Sequence, residues 1–506
     1  MSEFLHYFPQ ALTFTNLLVL LVGTFGGLIL GATPGLSPTM AVALLVPFTF
    51  HMDPATGLIL LGAVYTSTVA GGAISAILIN IPGAPANIAT LLDGHPMAQQ
   101  GRSQKALYIC FISSLIGGLF GMVVMILFTP PLARIALEFG PSEMFWIAIF
   151  GISVMAGLSS GSIAKGLIGG MFGLLISTIG YSPLLGIPRF VFNDVLTGGV
   201  AIVPALIGLF AIPQVFSLAE KLNSKIVQKR ADFQPEKGIL FKTIAENLKM
   251  VKALSIGSVV GSIIGIIPGA GGQVAGLIAY DQNRKFSKRP ESFGKGNPEG
   301  VAAAESANNA MVGPSLIPLL TLSIPGSPTA AVLLGGLLIH GLFPGPDLFI
   351  SNASITYTFI ASLVLAQFAM CGFGLLLSRY SYMVMSVPNL FMIAAVTILA
   401  VYGTYSVQNS FDDVIVMFTL GTLMYIGNKF GFSAAPVVLG IILGPIAEDN
   451  FLKGKLIADT DVGAFSYFFT GSMNMVIIFL CVASIGYSIY GEIRAYLKVK
   501  AKEKIQ

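Results

Sequence analysis

Four Pro-Gly breaks, arranged as two pairs, constrain this chain more than any other feature. Ala32-Thr33-Pro34-Gly35-Leu36 and Ile267-Pro268-Gly269-Ala270-Gly271 each interrupt a long apolar run. Each is followed by a second interruption, Ile81-Pro82-Gly83-Ala84-Pro85 and Ile324-Pro325-Gly326-Ser327-Pro328. Pro34 and Pro268 stand 234 residues apart and Pro82 and Pro325 stand 243 apart, the mark of an internal duplication. Proline removes an amide donor and glycine opens unusual backbone angles, so a helix unwinds at each break. Free carbonyls are left on one side, and the next half-helix presents bare N–H groups and a positive dipole end on the other. Such backbone is not tolerated against lipid and must line protein or a water-filled cavity. Broken apolar helices in corresponding places of two halves point to a solute site at membrane depth.

Composition places the rest of the chain in lipid. Of 506 residues, 55% are hydrophobic and 10% charged, against roughly 25% charged in soluble domains; mean hydropathy is +0.84. The net charge of +4 gives no argument for nucleic acid. Cys110, Cys371 and Cys481 sit singly in apolar runs, without the spacing of a disulfide framework or a metal site. The first fifteen residues hold no Lys or Arg, so a secretory signal with a basic start is not expected.

Apolar stretches near 20 residues span a bilayer. Such windows lie at 56–80, 106–129, 143–159, 164–180, 195–213, 303–323, 353–378, 388–408, 411–428, 433–447 and 468–491. Two further runs, 12–50 and 253–280, carry a break in the middle and read as re-entrant hairpins. Basic residues favour the cytoplasmic side. The loop 216–252 holds Lys221, Lys225, Lys229, Arg230, Lys237 and Lys242 among its basic residues, and the loop 281–300 holds Arg284, Lys285, Lys288, Arg289 and Lys295. A hairpin at 253–280 leaves both loops inside, whereas a single crossing separates them. The same counting puts the N-terminus outside and the basic tail from Arg494 inside, with Arg134, Arg189, Lys453 and Lys455 as exceptions.

The expectation is therefore an all-α polytopic membrane protein with two inverted-topology repeats, about 11 transmembrane helices (roughly 10–13) and two re-entrant helical hairpins. Residues 1–215 form the first membrane repeat, 216–252 a cytoplasmic linker with amphipathic surface helices, 253–447 the second repeat, and 448–506 a final span with a basic cytoplasmic tail.

Small polar side chains gather at the breaks: Thr33, Ser37 and Thr39; Asn80 and Asn87; Gly271, Gly272 and Gln273; and Ser323, Ser327 and Thr329, with Asn308 and Asn309 upstream. None of the breaks carries Lys or Arg within its apolar run, so an anion there is met by dipoles, amides and a co-transported cation. Candidate substrate contacts are Ser37, Thr39, Asn80, Asn87, Gln273, Asn309, Ser327 and Thr329. Candidate cation ligands are Thr33, Pro34, Gly35, Pro268, Gly269 and Gly271, largely through backbone carbonyls. Any one of these motifs alone reads more readily as an ordinary interhelical turn, with Ser, Thr and Asn as interhelical glue; four in two matched pairs favour a site. Glu299 and Glu305 flank the start of window 303–323, where the neighbouring basic loop offers ion pairing as well as function. Asp93-Gly94-His95-Pro96 reads as a capped turn, His340 as packing, and Trp146 as an interface anchor.

Enzymatic readings lack a constellation. Gly265–Gly276 has no Gly-Lys-Ser/Thr ending, so it is not a P-loop, and no His-Glu-x-x-His zinc motif occurs. No cofactor is expected beyond a coupling Na⁺ or H⁺. The competing class is an ion or solute channel, against which the duplicated single chain with hairpins argues.

Several of these motifs resemble a known family. Gly31-Ala32-Thr33-Pro34-Gly35-Leu36, Asn80-Ile81-Pro82-Gly83-Ala84-Pro85 and Asp93-Gly94-His95-Pro96-Met97 are similar to segments of the large membrane subunit of tripartite tricarboxylate transporters, the TctA family. In the second half, Ile267 to Gly272, Gly300-Val301-Ala302-Ala303-Ala304-Glu305-Ser306-Ala307-Asn308-Asn309, Ser323 to Pro328 and Gly341 to Pro346 agree with it. The resemblance implies a bacterial inner-membrane permease that works with a small membrane subunit and a periplasmic solute-binding protein; with the charge count, the N-terminus is expected to be periplasmic and the C-terminus cytoplasmic. It implies cation-coupled uptake of organic carboxylates, tricarboxylates or dicarboxylates.

Overall fold

A computed structural model describes residues 2–157, 162–182, 186–192, 194–220, 238–268, 271–380, 389–461 and 463–503. The helices in chain order are α1 (Ser2–Ala11), α2 (Phe14–Ala32), α3 (Pro38–Thr49), α4 (Pro54–Ile79), α5 (Ile88–Gln99), α6 (Ser103–Ala136), α7 (Pro141–Gly157), α8 (Ile163–Ser177), α9 (Ile202–Phe210), α10 (Ile212–Glu220), α11 (Ile239–Lys249) and α12 (Val251–Ile266). They continue with α13 (Gly271–Phe286), α14 (Pro298–Ala310), α15 (Ile317–Leu322), α16 (Pro328–Ile339), α17 (Asp347–Ile350), α18 (Ala353–Leu377), α19 (Asn389–Gln408), α20 (Phe411–Lys429), α21 (Ala434–Asp461), α22 (Ala464–Phe469) and α23 (Ser472–Glu503). Among the described residues the one sheet is a two-stranded ribbon, Gly180–Tyr181 with Pro188–Arg189. The molecule is an all-α multi-pass membrane protein.

Seven of the described helices are long and apolar enough to cross a bilayer, or eight if α11 and α12, bent by 70° at their junction, count as one span. That is fewer than the windows in the sequence, mainly for two reasons. Pro141–Val154, Ile163–Ser177 and Ser472–Gly486 are apolar but short, as are α3 and α16, which follow Pro-Gly breaks. The window 303–323 is not one helix either. Gly313-Pro314 divides it into α14, a 3-10 turn at Pro314–Leu316, and α15. Proline has no N–H to give and its ring crowds the preceding turn; the first half has Gly71 at the matching position, and α4 runs through unbroken.

The chain forms two compact units. One contains residues 1–133, 214–321 and 325–403, the other 134–213, 322–324 and 404–506. The first unit holds all the candidate substrate and cation contacts among the described residues, while Ser323 falls in the second. At its centre lie α4, buried from Thr56 to Leu78, and α14, buried from Gly300 to Ala310. A helix buried all round is a core element, and each of these is the partner of a break-bearing helix.

That partnership is repeated to the residue. A β-carbon on Gly23, Gly27 or Gly31 of α2 would meet the backbone carbonyl of Leu60, Val64 or Thr68 of α4. On Gly257, Gly261 or Gly265 of α12 it would meet the carbonyl of Ala303, Ala307 or Met311. The glycines are offset by 234 and the carbonyls by 243, the same two spacings as the breaks. A glycine every fourth residue lets two helix backbones touch, as small-residue stripes do in membranes.

The second unit has its own packed interior and a bidentate ion pair. Ile147, Ile324, Ile477 and Cys481 cluster in its interior. Trp146 donates from Nε1 to the Phe468 carbonyl at 2.7 Å, so it is bonded within the unit. Arg189 grips Glu448 with both guanidinium arms, at 2.7 and 3.0 Å, which satisfies the exceptional cation of the ribbon locally.

Candidate functional site

Each break has a counterpart with the same backbone shape. Thr33 ends α2 at φ −79°, ψ 117°, and Ile267 ends α12 at φ −73°, ψ 116°; both N–H groups donate 3.2 Å to the carbonyl three residues back. Asn80 and Ser323, which precede the second breaks, both adopt φ 61°, a left-handed conformation in which only a few non-glycine residues are found. Beyond them the Gly83 N–H donates to the Gly72 carbonyl at 3.1 Å and the Gly326 N–H to the Ser315 carbonyl at 3.0 Å. The chain is thus folded back onto the preceding core helix in both halves.

The half-helices that follow the breaks start close together. Ser37 caps α3 by accepting from the Met40 N–H at 3.2 Å, and Ser327 caps α16 by accepting from the Ala330 N–H at 3.1 Å. Within the first turn, Thr39 and Thr329 share a hydrogen bond of 3.0 Å between their hydroxyls. Ser327 also bonds the Tyr65 hydroxyl of α4 at 2.7 Å, and Tyr65 bonds Ser315 at 3.1 Å. A β-carbon on Gly271 would stand 3.9 Å from Pro328, and one on Gly272 would stand 3.0 Å from Ala86 and press on the Asn308 amide. Ala86 belongs to the 3-10 turn Pro85–Asn87 that leads into α5. The N-termini of α3, α5, α13 and α16 therefore meet in one region, each with a positive dipole end.

Beside them lies a buried polar network around Glu305, which is 0% exposed. Its carboxylate accepts from Thr90 Oγ1, from Ser114 Oγ at 3.0 Å and from Asn87 Nδ2 at 3.4 Å. Asn87 also donates to the Val69 carbonyl at 3.2 Å. Asn309 Nδ2 donates to Ser114 Oγ at 2.8 Å and to the Glu305 carbonyl at 3.3 Å. Among the described residues Glu305 makes no ion pair with the basic loop; its partners are neutral hydroxyls, an amide and the Cys110 thiol. Glu299, at the start of α14, instead accepts from Ser287 at 3.2 Å.

The candidate residues divide into three groups. Thr39, Ser327 and Thr329 come together, and so do Asn87 and Asn309. Asn80 caps the end of α4 and is exposed, and Gln273 is exposed on the first turn of α13. Thr33 donates back to the Ile29 carbonyl at 2.9 Å, while Pro34, Gly35, Ser37 and Pro268 are half-buried and Gly271 is buried. Gly269 lies outside the described residues.

Tyr65, Thr90, Ser114 and Ser315 were not singled out by the sequence. They lie within apolar runs or beside a break, and only the fold brings their hydroxyls to the cluster. Asp93 is structural: it accepts from the N–H groups of Gly296 and Asn297 at 2.9 and 2.8 Å and from Tyr280 at 2.8 Å. His95 bonds the Ile77 carbonyl at 3.0 Å, and His340 bonds Thr49 at 3.2 Å.

Known proteins share this sequence over most of its length. Residues 17–439 match the tripartite tricarboxylate transporter TctA family. A protein of Agrobacterium vitis, described as an uncharacterized 52.8 kDa protein in the TAR-I ttuC' 3'region, is 33% identical over 460 residues, 90% of each chain. A second from that organism, described as an uncharacterized protein in the TAR-II ttuC' 3'region, is 35% identical over 205 residues, 40% of this chain and 85% of that one. The motifs at the breaks and the extent of these matches agree: the chain belongs to the tripartite tricarboxylate transporter TctA family.

Proposed function

We propose that this chain is the large permease subunit of a binding-protein-dependent system that takes up organic carboxylates, tricarboxylates or dicarboxylates, across the bacterial inner membrane. The observation that carries this reading is the meeting of four helix N-termini in a buried region whose side chains are hydroxyls and amides. Bare N–H groups and aligned dipoles attract a carboxylate without a fixed cation. A site without Lys or Arg binds a multiply charged acid weakly until a co-transported cation enters, and that dependence couples the two fluxes.

Thr39, Asn87, Asn309, Ser327 and Thr329 are the proposed contacts to the acid, with Ser37, Asn80 and Gln273 at the approaches. Carbonyls of Thr33, Pro34, Gly35, Pro268, Gly269 and Gly271 are proposed ligands for Na⁺, or relay points for H⁺. The two halves are proposed to lie in opposite orientations across the membrane, so that movement of the break-bearing elements exposes the site to each side in turn. A small membrane subunit and a periplasmic solute-binding protein complete the system, and the binding protein delivers the acid.

Uptake of radiolabelled citrate by proteoliposomes containing all three subunits tests the proposal. Saturable uptake that requires an inward Na⁺ or H⁺ gradient is expected. Uptake indifferent to both gradients rejects coupling, and non-saturating flux at channel rates favours the channel reading.

A further inference from the structure

We infer that the groove between α8, α9, α20 and α21 binds one acidic phospholipid, with an acyl chain along the groove and the headgroup phosphate at Lys165 and Lys429. Two independent observations carry the inference. The first is the form and lining of the groove. Its volume is about 240 Å³, and its walls include Ile168 and Phe172 of α8, Leu209 of α9, Leu423 and Met424 of α20 and Val437 of α21. Ile168, Phe172 and Leu423 are exposed, so the groove opens to the surroundings of the protein. Left empty, such walls forfeit their dispersion contacts, and a hydrocarbon chain restores them. On α20 the lining runs from Leu420 to Gly427, about 10 Å along the helix axis. The volume spread over that length suits an extended chain. A partner helix, about 10–12 Å across with its side chains, is too wide to enter.

The second observation is charge at one end. The segments 162–177, 202–210 and 414–447 contain every lining residue, and their only charged residues are Lys165 and Lys429. Both stand at the same end of the groove. Lys165 lies in the first turn of α8, just before Ile168, and Lys429 ends α20, just after Gly427. Lys165 Nζ donates to the Phe430 carbonyl at 2.7 Å, which ties the start of α8 to the end of α20. Gly431 stands beside it at φ 80°, and a β-carbon there would lie 3.2 Å from the ammonium. Lys429 Nζ lies 4.6 Å from the centre of the Tyr425 ring.

These features select the headgroup. An ammonium carries three N–H donors, so the Phe430 carbonyl does not exhaust Lys165. A phosphate accepts charge-assisted hydrogen bonds on several oxygens and can take one from each lysine. Choline or ethanolamine brings a cation of its own, which the two lysines repel, whereas glycerol brings none. The charge count is expected to put this end on the cytoplasmic side, where basic pockets between helices hold acidic headgroups. The inference rests on the membrane fold and not on the transport reading.

Thermal unfolding of the purified full chain in neutral detergent, titrated with phosphatidylglycerol or with phosphatidylcholine of the same acyl chains, tests the site. Phosphatidylglycerol is expected to raise the melting temperature saturably and at lower concentration than phosphatidylcholine, since a ligand that binds the native state stabilises it. Lys165→Ala and Lys429→Ala should each weaken the apparent affinity for phosphatidylglycerol about fivefold, the effect of one lysine near an anionic lipid. Neither should change the response to phosphatidylcholine. Leu423→Trp, which narrows the groove from an exposed position, should weaken both responses. Lys288→Ala with Arg289→Ala, in the exposed basic loop of the first unit, should alter neither. Equal responses to the two lipids overturn the inference. So does a phosphatidylglycerol response that survives in both lysine variants, or one lost only in the loop variant, which assigns the lipid to the loop. Should Lys165→Ala not fold, unchanged affinity in Lys429→Ala overturns it. A wild-type protein that neither lipid stabilises, but that loses a copurified small membrane subunit in Leu423→Trp, assigns the groove to a protein partner and overturns it as well.

Discussion

Gly83 and Gly326 occupy places where a β-carbon has no room. One on Gly83 would lie 2.5 Å from the Gly31 carbonyl and 2.6 Å from Gly72 Cα; one on Gly326 would lie 2.5 Å from the Gly265 carbonyl and 2.7 Å from Ser315 Cα. Those neighbours are backbone and cannot rotate away. Gly83→Ala and Gly326→Ala are each expected to cost about 1–3 kcal/mol of stability, the range for overpacking a dense interior. Matched falls in melting temperature would support the equivalence of the two positions, and a neutral result at either would contradict it. Asp93 makes a different case. Asp93→Asn exchanges charged acceptors for an amide opposite two backbone N–H groups, and a loss of about 1–3 kcal/mol is expected. Since Asp93 is proposed to contact no solute, the KM for uptake should stay unchanged while thermal stability falls. Thr329→Val, by contrast, removes the hydroxyl that pairs with Thr39; a raised KM with a near-normal melting temperature is expected, and unchanged uptake kinetics would take Thr329 out of the site.

At the scale of elements, the sequence disclosed the breaks and concealed the contacts. Pro34, Pro82, Pro268 and Pro325 could be read directly, because proline and glycine act locally. The division of α14 from α15 at Pro314 was missed, because composition across 303–323 stays apolar and a window average does not register one proline. The pairing of Asn309 with Ser114, 195 residues away, has no local signal at all. Glu305 was visible as a lone carboxylate in an apolar run, but whether its partners were cations or hydroxyls depended on which helices pack around it. Within the expected linker, α11 exposes Phe241 and buries Asn247, whose amide donates to Ser113 at 2.8 Å and to the Ile109 carbonyl at 3.3 Å. Lys105 pairs with Glu246 on the same contact, but both side chains remain partly in solvent. Lys105→Ala is expected to change stability by about 0–1 kcal/mol, the usual worth of such pairs. Asn247→Ala should cost more, about 1–3 kcal/mol, because it removes hydrogen bonds made in a buried place. Comparing the two melting temperatures checks the order.

For the whole molecule, the halves of the sequence and the compact units are different divisions. Each unit draws segments from both halves, so the duplication is seen in matched contacts rather than in two separate bodies. The unit that holds the helix N-termini also contains the buried carboxylate of Glu305. The proposed opposite orientation of the halves has a direct consequence: single cysteines placed in 281–300 and at Lys242 should react with an impermeant reagent from the same, cytoplasmic side. Reaction from opposite sides would require a continuous crossing between them and would refute the re-entrant hairpin at 253–280. The central claim is that broken helices gather their N-termini into a buried carboxylate site, and an experimental density map of the purified chain with citrate bound tests it most directly. Density for the acid between Thr39, Thr329, Asn87 and the start of α13, with the chain unwound at Pro34 and Pro268, is the expected result; citrate bound elsewhere, or unbroken helices through those prolines, would contradict it.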